Sequence, residues 1–261
     1  MNETLATPFD VRLMNFTATT LFAVFASLLL SALVAWAANR AAFSIGAITV
    51  TGDVTHNNAL TLRANVVPKL GGSFLTLDLA HAKQAFEAVP WVRRAVVKRD
   101  FPNRLKVVLQ EHQPVAYWGP EADSRLLNSF GEVFEANVGE VEQEVLPRLG
   151  GPLGQEPQVL AMYRVLQPRF EAMDLSLERL DLSGRGSWVA TLDTGAVIEI
   201  GRGSDTEVVA RTERFLKTLT QVTSRYKRKP DAMESADLRH PDGYALRLRG
   251  VSTVVSETPK K

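Results

Sequence analysis

The feature that most constrains this chain is an uncharged apolar segment near its N-terminus. No Asp, Glu, Lys or Arg occurs between Arg12 and Arg40, and the most apolar part runs from Phe16 to Ala38. As a helix rising about 1.5 Å per residue, this part would extend roughly 35 Å, whereas the hydrocarbon core of a bilayer is about 30 Å thick. Trp36 lies near its C-terminal end, where an interfacial aromatic ring is favoured. The sequence therefore predicts a transmembrane anchor over residues 16–38.

Two other interpretations of this segment fit its pattern less well. Ala35-Trp36-Ala37 matches the cleavage site of a signal peptide, but such peptides have a shorter apolar region, of about 7–15 residues, and a basic leading segment. Here the leading segment contains Glu3 and Asp10. A buried core helix would show a polar face, and this segment has none. We therefore expect an uncleaved anchor, a cytoplasmic tail over residues 1–15, and translocation of the long C-terminal part.

The composition excludes several classes of protein. The 261 residues suffice for two modest domains, and a formal net charge of +1 gives no sign of a nucleic-acid partner. The absence of cysteine excludes thiol catalysis, disulfides and cysteine-ligated zinc. None of the histidines is paired at metal-ligand spacing, so we expect no metal or cofactor and predict surface or turn positions for all of them: His56, His81, His112 and His240.

The residues after the anchor predict a compact unit over residues 43–112. The stretch ITVTGD alternates apolar and polar residues, as a strand does, and NNALTLRANVVPKLGG has the spacing of a short helix. A second helix follows Asp78, a suitable N-cap, and its apolar stripe includes Phe86. These elements give the order strand, helix, helix.

The basic stretch from Trp91 to Trp118 predicts the rest of this unit. Its alternating apolar residues indicate two strands joined at the turn DFPNR, which completes the order strand, helix, helix, strand, strand. It shows no catalytic spacing. Glu111 and His112 are adjacent in a strand, so their side chains point to opposite faces and cannot act together.

Residues 113–250 have a different pattern, with short apolar runs separated by turns, and predict a β-rich domain with two helices. Pro157 belongs to the first turn of one helix, and Pro168 should kink or shorten that helix. The Ser204-x-x-Glu207 capping box begins the other.

The chain closes with two predicted strands, ESADLRH and YALRLRG. They flank Pro241-Asp242-Gly243, a turn in which glycine is expected at a positive φ. Residues 251–261 are polar and predicted to be disordered, although VSTVV could add a strand.

No arrangement of residues indicates catalysis. Ser224-x-x-Lys227 matches the nucleophile motif of penicillin-binding proteins, but the accompanying Ser-Asp-Asn and Lys-Thr-Gly motifs are missing. The basic residues around it complement the C-terminal end of a helix: Arg225, Lys227, Arg228 and Lys229. They could also bind an anionic partner or a lipid head group, although a solvated helix end is the simpler interpretation.

The element order over residues 43–112 resembles a POTRA domain, and its details resemble the FtsQ/DivIB family of bacterial cell-division proteins. The resemblance rests on ITVTGD, on the segment from FLTLDL to QPVAYW, and on LLNSFGEVFEA, LPRLGGP, WVATLDTGAVIEIGRG and ADLRHPDGYALRL. It implies an α+β fold with a single N-terminal transmembrane helix, a POTRA domain, and a β-rich domain with two helices. It also implies a single-pass protein of the cell inner membrane, with its N-terminus in the cytoplasm and no enzymatic activity.

Members of this family are scaffolds of the division machinery, the divisome, at the midcell septum. They link early and late division proteins, chiefly by binding a complex of FtsB and FtsL. The resemblance places this contact on the closing strand, which could be a sheet edge open to an incoming strand, and on the turn before it. The residues so implied are Arg202, His240, Asp242, Gly243, Tyr244 and Leu248. His240 and Leu248 replace aromatic residues of the family, so the aromatic part of the contact is expected at Tyr244.

Two other functions remain open from the sequence. A POTRA-containing subunit of protein export or outer-membrane assembly would carry tandem copies of the strand–helix–helix–strand–strand unit or a transmembrane β-barrel, and neither pattern is visible. An anchored cell-wall enzyme would need the motifs that are missing around Ser224.

Overall fold

The computed structural model of the protein describes residues 9–38, 43–121, 125–137, 139, 141 and 146–251. The chain divides between Glu111 and His112 into two compact units. The predicted α+β fold is confirmed: an N-terminal apolar helix, a strand–helix–helix–strand–strand block, and a β-rich region with two helices follow one another. The predicted tail is described only at Val251, so the VSTVV prediction otherwise lies outside the described residues.

The apolar segment forms helix α1, Phe9–Ala38, which begins seven residues before the predicted start of the anchor at Phe16. Asp10 lies in its first turn, where a carboxylate complements the partial positive charge of a helix N-terminus. The part from Phe9 to Trp36 is strongly apolar, and Asp10 and Arg12 are its only charged residues. At about 1.5 Å per residue, its length is sufficient to cross a bilayer.

The first unit contains a three-stranded sheet and two helices. The sheet order is β1-β3-β2, in which β1 is parallel and β2 antiparallel to β3. A 3-10 turn, Val67–Lys69, extends the first of the helices. The elements are β1 Ala47–Gly52, α2 Ala59–Val66, α3 Leu79–Glu87, β2 Val92–Asp100 and β3 Arg104–Glu111.

The core of this unit lies between the sheet and the helices. Asp78 caps α3 as predicted, because its carboxylate accepts hydrogen bonds from the backbone N–H groups of Ala80 and His81. Phe86 on α3 is buried against β2 and β3. The hairpin departs from simple alternation, since a β-bulge after Val92 turns Val96 outward.

The end of β3 carries a buried carboxylate that holds the loop before α2. Glu111 accepts hydrogen bonds from the backbone N–H groups of His56 and Asn57, each at 3.0 Å, and from Asn57 Nδ2 at 2.8 Å. The His56 ring, predicted to be a surface or turn residue, is instead half-buried and stacked on Trp91 with 3.8 Å between ring centroids. Burial alone would raise the pKa of Glu111, but these hydrogen bonds outweigh burial and lower it.

This lowered pKa predicts a loss of stability in acid. Because the folded-state pKa of Glu111 lies below its unfolded value, the carboxylate stabilises the fold at neutral pH. That contribution should disappear as the pH falls from the unfolded pKa through the lower folded value. We expect Glu111→Gln to be less stable than the parent at pH 7 and to differ less from it in acid, as measured by urea unfolding. A difference that stays constant with pH would contradict this role.

The second unit is built on a nine-stranded sheet with the order β12-β11-β10-β9-β8-β7-β4-β5-β6. The first three strands are β4 Pro114–Trp118, β5 Arg125–Asn128 and β6 Val133–Glu135. The next four are β7 Arg148–Gly150, β8 Leu177–Leu182, β9 Ser187–Leu192 and β10 Val197–Arg202. The last two are β11 Met233–Asp237 and β12 Ala245–Leu248.

The two predicted helices of this unit are present, α4 Glu156–Glu171 and α5 Asp205–Arg225. The capping box between Ser204 and Glu207 is formed as predicted. Pro168 does not end α4, which continues to Glu171. Both helices contribute to one hydrophobic core with the sheet. His112, predicted at a surface or turn position, is half-buried, and its ring stacks on Phe134 with 4.2 Å between ring centroids.

Candidate functional site

The closing strand β12 lies at one edge of the nine-stranded sheet, as the sequence predicted. It pairs in antiparallel fashion with β11, and within the described part of the chain no strand covers its other side. An uncovered edge presents backbone N–H and C=O groups to an incoming strand. We use the name closing surface for residues 238–244, strand β12, and the side chains of α5 that line surface hollows together with them.

Tyr244 is fixed on α5 by two contacts. Its hydroxyl group is hydrogen-bonded to the Thr218 hydroxyl at 2.8 Å, and its ring meets the Phe215 ring edge to face with 4.9 Å between centroids. The side chain is half-buried, and a hollow opens to solvent on each side of it. Tyr244 therefore presents part of a ring that is already held in place.

Leu248 has a different position from the other predicted contact residues. Its side chain is only 6% exposed and belongs to the hydrophobic core of the second unit. Tyr244, Leu246 and Leu248 alternate along the strand with the exposed Ala245 and Arg247, so they share the face turned toward the core. Leu248 therefore offers little surface to a partner.

The turn before β12 is exposed at His240, Asp242 and Gly243. The prediction of a positive φ at Gly243 is wrong, since this residue lies outside the left-handed region. A Cβ atom added at Gly243 would meet no atom within 4 Å. The glycine is therefore not required by the fold of the turn, and a larger side chain there would point into open space.

A group of basic residues borders the turn. Arg202 is exposed at the end of β10, and its backbone carbonyl accepts a hydrogen bond of 3.1 Å from Arg211 Nη1 on α5. Arg211 and Arg214 line the hollow that His240, Asp242 and Tyr244 also line. Arg202 does not line that hollow. The structure groups the other five predicted residues on or beside β12 and places Arg202 at the end of β10, which β11 separates from β12.

Arg239 is a member of this group that the sequence analysis missed. Its Nε donates to Asp237 Oδ1 at 2.8 Å and its Nη2 to Oδ2 at 2.6 Å. These hydrogen bonds hold the pKa of Asp237 well below its usual range, so the pair stays ionised. More than half of the Arg239 side chain is still exposed. Only its position before a predicted turn could have indicated it, and that signal is weak.

The described residues contain no group of three or more His, Asp or Glu side chains placed to hold a metal ion. Ser224 and Lys227 are both exposed at the C-terminal end of α5, as are Arg225, Arg228 and Lys229. The site is thus a solvent-exposed strand edge with a partly buried tyrosine and basic neighbours, an arrangement suited to binding a peptide segment.

Comparisons with known proteins agree with this architecture. The family model described as "POTRA domain, FtsQ-type" matches residues 43–112, and the one described as "Cell division protein FtsQ/DivIB, C-terminal" matches residues 116–239. A cell division protein FtsQ from Thiomonas arsenitoxydans is 38% identical over 94% of this chain and 89% of its own length. Its counterpart from Burkholderia pseudomallei is 38% identical over 93% of this chain and 94% of its own length.

A third relative, cell division protein FtsQ from Bordetella pertussis, is 36% identical over 92% of each chain. The resemblance inferred from the sequence is therefore confirmed, and the chain belongs to the FtsQ/DivIB family of cell division proteins.

Proposed function

We propose that this protein is a non-enzymatic scaffold of the divisome that links early and late division proteins and binds the FtsB–FtsL complex through the closing surface. The observation that carries the proposal is the edge of β12, which no strand of the described residues covers, in a protein of the FtsQ/DivIB family. The family and the apolar helix α1 fit a single-pass membrane protein of cell division. Membership of this family favours the scaffold over an export subunit or a cell-wall enzyme.

In this proposal an extended segment of the partner adds to the sheet beside β12. Backbone hydrogen bonds along the strand supply affinity, and the side chains around it supply specificity. The ring of Tyr244 supports this role, because its contacts with Phe215 and Thr218 reduce the entropy that binding would otherwise cost. His240, Asp242 and Gly243 are exposed beside it and complete the contact.

Charge would select the partner. Arg202 and Arg214 are exposed around the turn, whereas Arg239 is paired with Asp237 at 2.6 Å and Arg247 on β12 with Glu234 at 3.0 Å. Asp237 is occupied by Arg239 and does not balance the remaining arginines. An acidic residue in the FtsB segment would therefore be favoured at this end of the strand, chiefly through faster and more selective association.

The sharpest test replaces Gly243 by aspartate, because a side chain there meets no atom of the protein. Gly243→Asp should fold normally and lose binding, since it adds a charge and bulk where the partner docks. Gly184→Asp is the matched control: it lies in another turn of the same unit and is also exposed, with no atom within 4 Å of an added Cβ. We expect capture of the FtsB–FtsL complex to fall at least about tenfold for Gly243→Asp and to stay unchanged for Gly184→Asp.

Arg202→Glu and Tyr244→Phe extend this test. Arg202→Glu reverses a charge at the rim and should weaken capture more at low salt than at high salt. Tyr244→Phe keeps the ring and loses only the hydrogen bond to Thr218, so it should retain most binding. Normal capture of the complex by both Gly243→Asp and Arg202→Glu, with circular dichroism unchanged, would mean that the partner binds elsewhere.

The orientation follows from the same proposal. We infer that the N-terminus is cytoplasmic and that both folded units lie in the periplasm, at the midcell septum of dividing cells. A β-lactamase fused after Val251 should then confer resistance to β-lactam antibiotics, and a fluorescent fusion should collect at midcell. A sensitive strain would contradict the orientation, a uniformly peripheral signal would contradict the division role, and a mature N-terminus near Ala38 would contradict the uncleaved anchor.

A further inference from the structure

The hydrophobic core of the POTRA domain is incompletely covered along strand β1. A cavity of ≈ 530 Å³, open to solvent, lies between this strand and α2. Ile48 and Val50 form one of its sides and Leu70 part of the other, and all three are half-buried residues packed against the core. The opposite edge of the sheet, β2, has α3 beside it, and Glu87 of that helix accepts a hydrogen bond from the Ala95 N–H group. Among the described residues, the flank at β1 is thus the open side of this domain.

Helix α2 extends the open flank with apolar side chains. Leu60 is 78% exposed and Val67 is 43% exposed. Leu60, Arg63, Ala64 and Val67 are spaced at i, i+3, i+4 and i+7, so they share one face of the helix and the turn after it. Arg63 and Val67 also line the cavity, which makes this face and the cavity one continuous surface.

The charge of this surface is of one sign. Arg63 is exposed on it, Lys69 is exposed in the turn after α2, and no Asp or Glu occurs in the sequence between Asp53 and Asp78. Apolar side chains beside basic ones, without acidic neighbours, are typical of segments that bind the interface of a membrane containing anionic lipids.

The covalent chain keeps this surface close to the membrane. Helix α1 ends at Ala38 and the described part of the POTRA domain begins at Phe43, five residues later. An extended chain spans at most about 3.6 Å per residue, so Phe43 lies within about 18 Å of the end of the anchor. Ser44 and Ile45 line the cavity, so the chain enters the domain from the membrane at this flank.

We propose that the flank formed by α2 and the β1 cavity is a lipid-binding surface that docks the POTRA domain onto the membrane holding the anchor. Leu60 and Val67 would enter the interface between head groups and acyl chains. Arg63 and Lys69 would contact lipid phosphates. This role is independent of FtsB–FtsL binding, since it uses residues of the other unit and concerns phospholipid.

The natural absence of cysteine makes a direct test possible in the full chain. Single cysteines at Leu60→Cys and Val67→Cys would carry a bimane fluorophore. Val96→Cys is the matched control, because Val96 is 42% exposed on the opposite edge strand of the same sheet, close to the 43% of Val67. Each protein would be placed in nanodiscs of phosphatidylglycerol and phosphatidylethanolamine, with and without lipids brominated near the head group.

We expect brominated lipid to quench the labels at positions 60 and 67 at least about threefold more than the label at 96. Adding Arg63→Glu and Lys69→Glu to the Val67→Cys protein should reduce this quenching, with circular dichroism confirming that the domain is folded. Equal quenching at 67 and 96 would overturn the proposal. A second control measures, in detergent, how well the label at position 67 is protected from quenching by aqueous iodide. Protection that increases with protein concentration would also overturn the proposal, because a second copy of the protein would then occupy the flank. The proposal would also be overturned if brominated lipid does not quench the label at position 67 and the label is protected from iodide only after a protein partner is added.

Discussion

Replacing Phe86 by alanine is expected to destabilise the POTRA domain by about 3–5 kcal/mol, the usual cost of removing a buried aromatic ring. Phe86 is 1% exposed and packs in the core between α3 and the sheet. The domain is small, and the whole stability of such a domain is only about 5–15 kcal/mol. The variant should therefore reach a lower level in cells and unfold at a lower urea concentration, before any effect on partner binding is considered.

Two adjacent valines of strand β3 separate the effect of burial from the effect of the substitution itself. Val107 is fully buried and its neighbour Val108 is 41% exposed, so the same change to alanine is made on the two faces of one strand. Val107→Ala should cost about 2 kcal/mol, because two buried methyl groups are removed and a small cavity remains. Val108→Ala should cost well under about 1 kcal/mol. If urea unfolding followed by circular dichroism shows Phe86→Ala and Val107→Ala as stable as Val108→Ala, the core has been placed wrongly.

The local signals in the sequence predicted most elements of the fold because those signals act over a few residues. The caps at Asp78 and Ser204 form hydrogen bonds within one helical turn, so they could be recognised without knowing the tertiary structure. The bulge after Val92 could not be recognised in this way. It is defined by pairing with β3, and it alone decides that Val96 faces outward.

Tertiary contacts also explain what the sequence could not predict about the histidines and the closing turn. His56 is half-buried because Trp91 and Glu111, distant in sequence, meet it in the fold. Gly243 was expected at a positive φ from the Pro-Asp-Gly pattern, but the turn before β12 takes another conformation. Residue pattern indicates that a turn is present more reliably than it indicates the turn type.

The candidate site was predictable in outline for a similar reason. The last patterned strand before a polar tail was expected at a sheet edge, and β12 lies there. The exposure of single side chains depended on packing against α5, which the sequence does not reveal. Packing holds Tyr244 on Phe215 and buries Leu248, while Arg239, missed in the sequence, remains exposed beside the turn.

Leu248→Ala is the second large expected effect, and it decides what Leu248 does. The resemblance to the FtsQ/DivIB family implied that this residue contacts the partner. Its side chain is 6% exposed and lies in the core. Leu248 pairs with the buried Met233 between strands β12 and β11. We expect Leu248→Ala to destabilise the second unit by about 2–5 kcal/mol, the usual cost of truncating a buried leucine. Because Leu246 is less buried on the same face, Leu246→Ala should cost less.

Capture of the FtsB–FtsL complex by Leu248→Ala should then fall because β12 no longer holds its place at the sheet edge, and not because a contact atom is missing. Leu248→Met separates these two causes, since a swap that nearly conserves volume costs under about 1.5 kcal/mol and should restore both the fold and the binding. The measurement pairs urea unfolding with capture of the complex for each variant. A Leu248→Ala protein that is as stable as the parent and still loses binding would show that the leucine touches the partner directly. A loss of both that Leu248→Met reverses would assign Leu248 to the framework that positions the edge strand for binding.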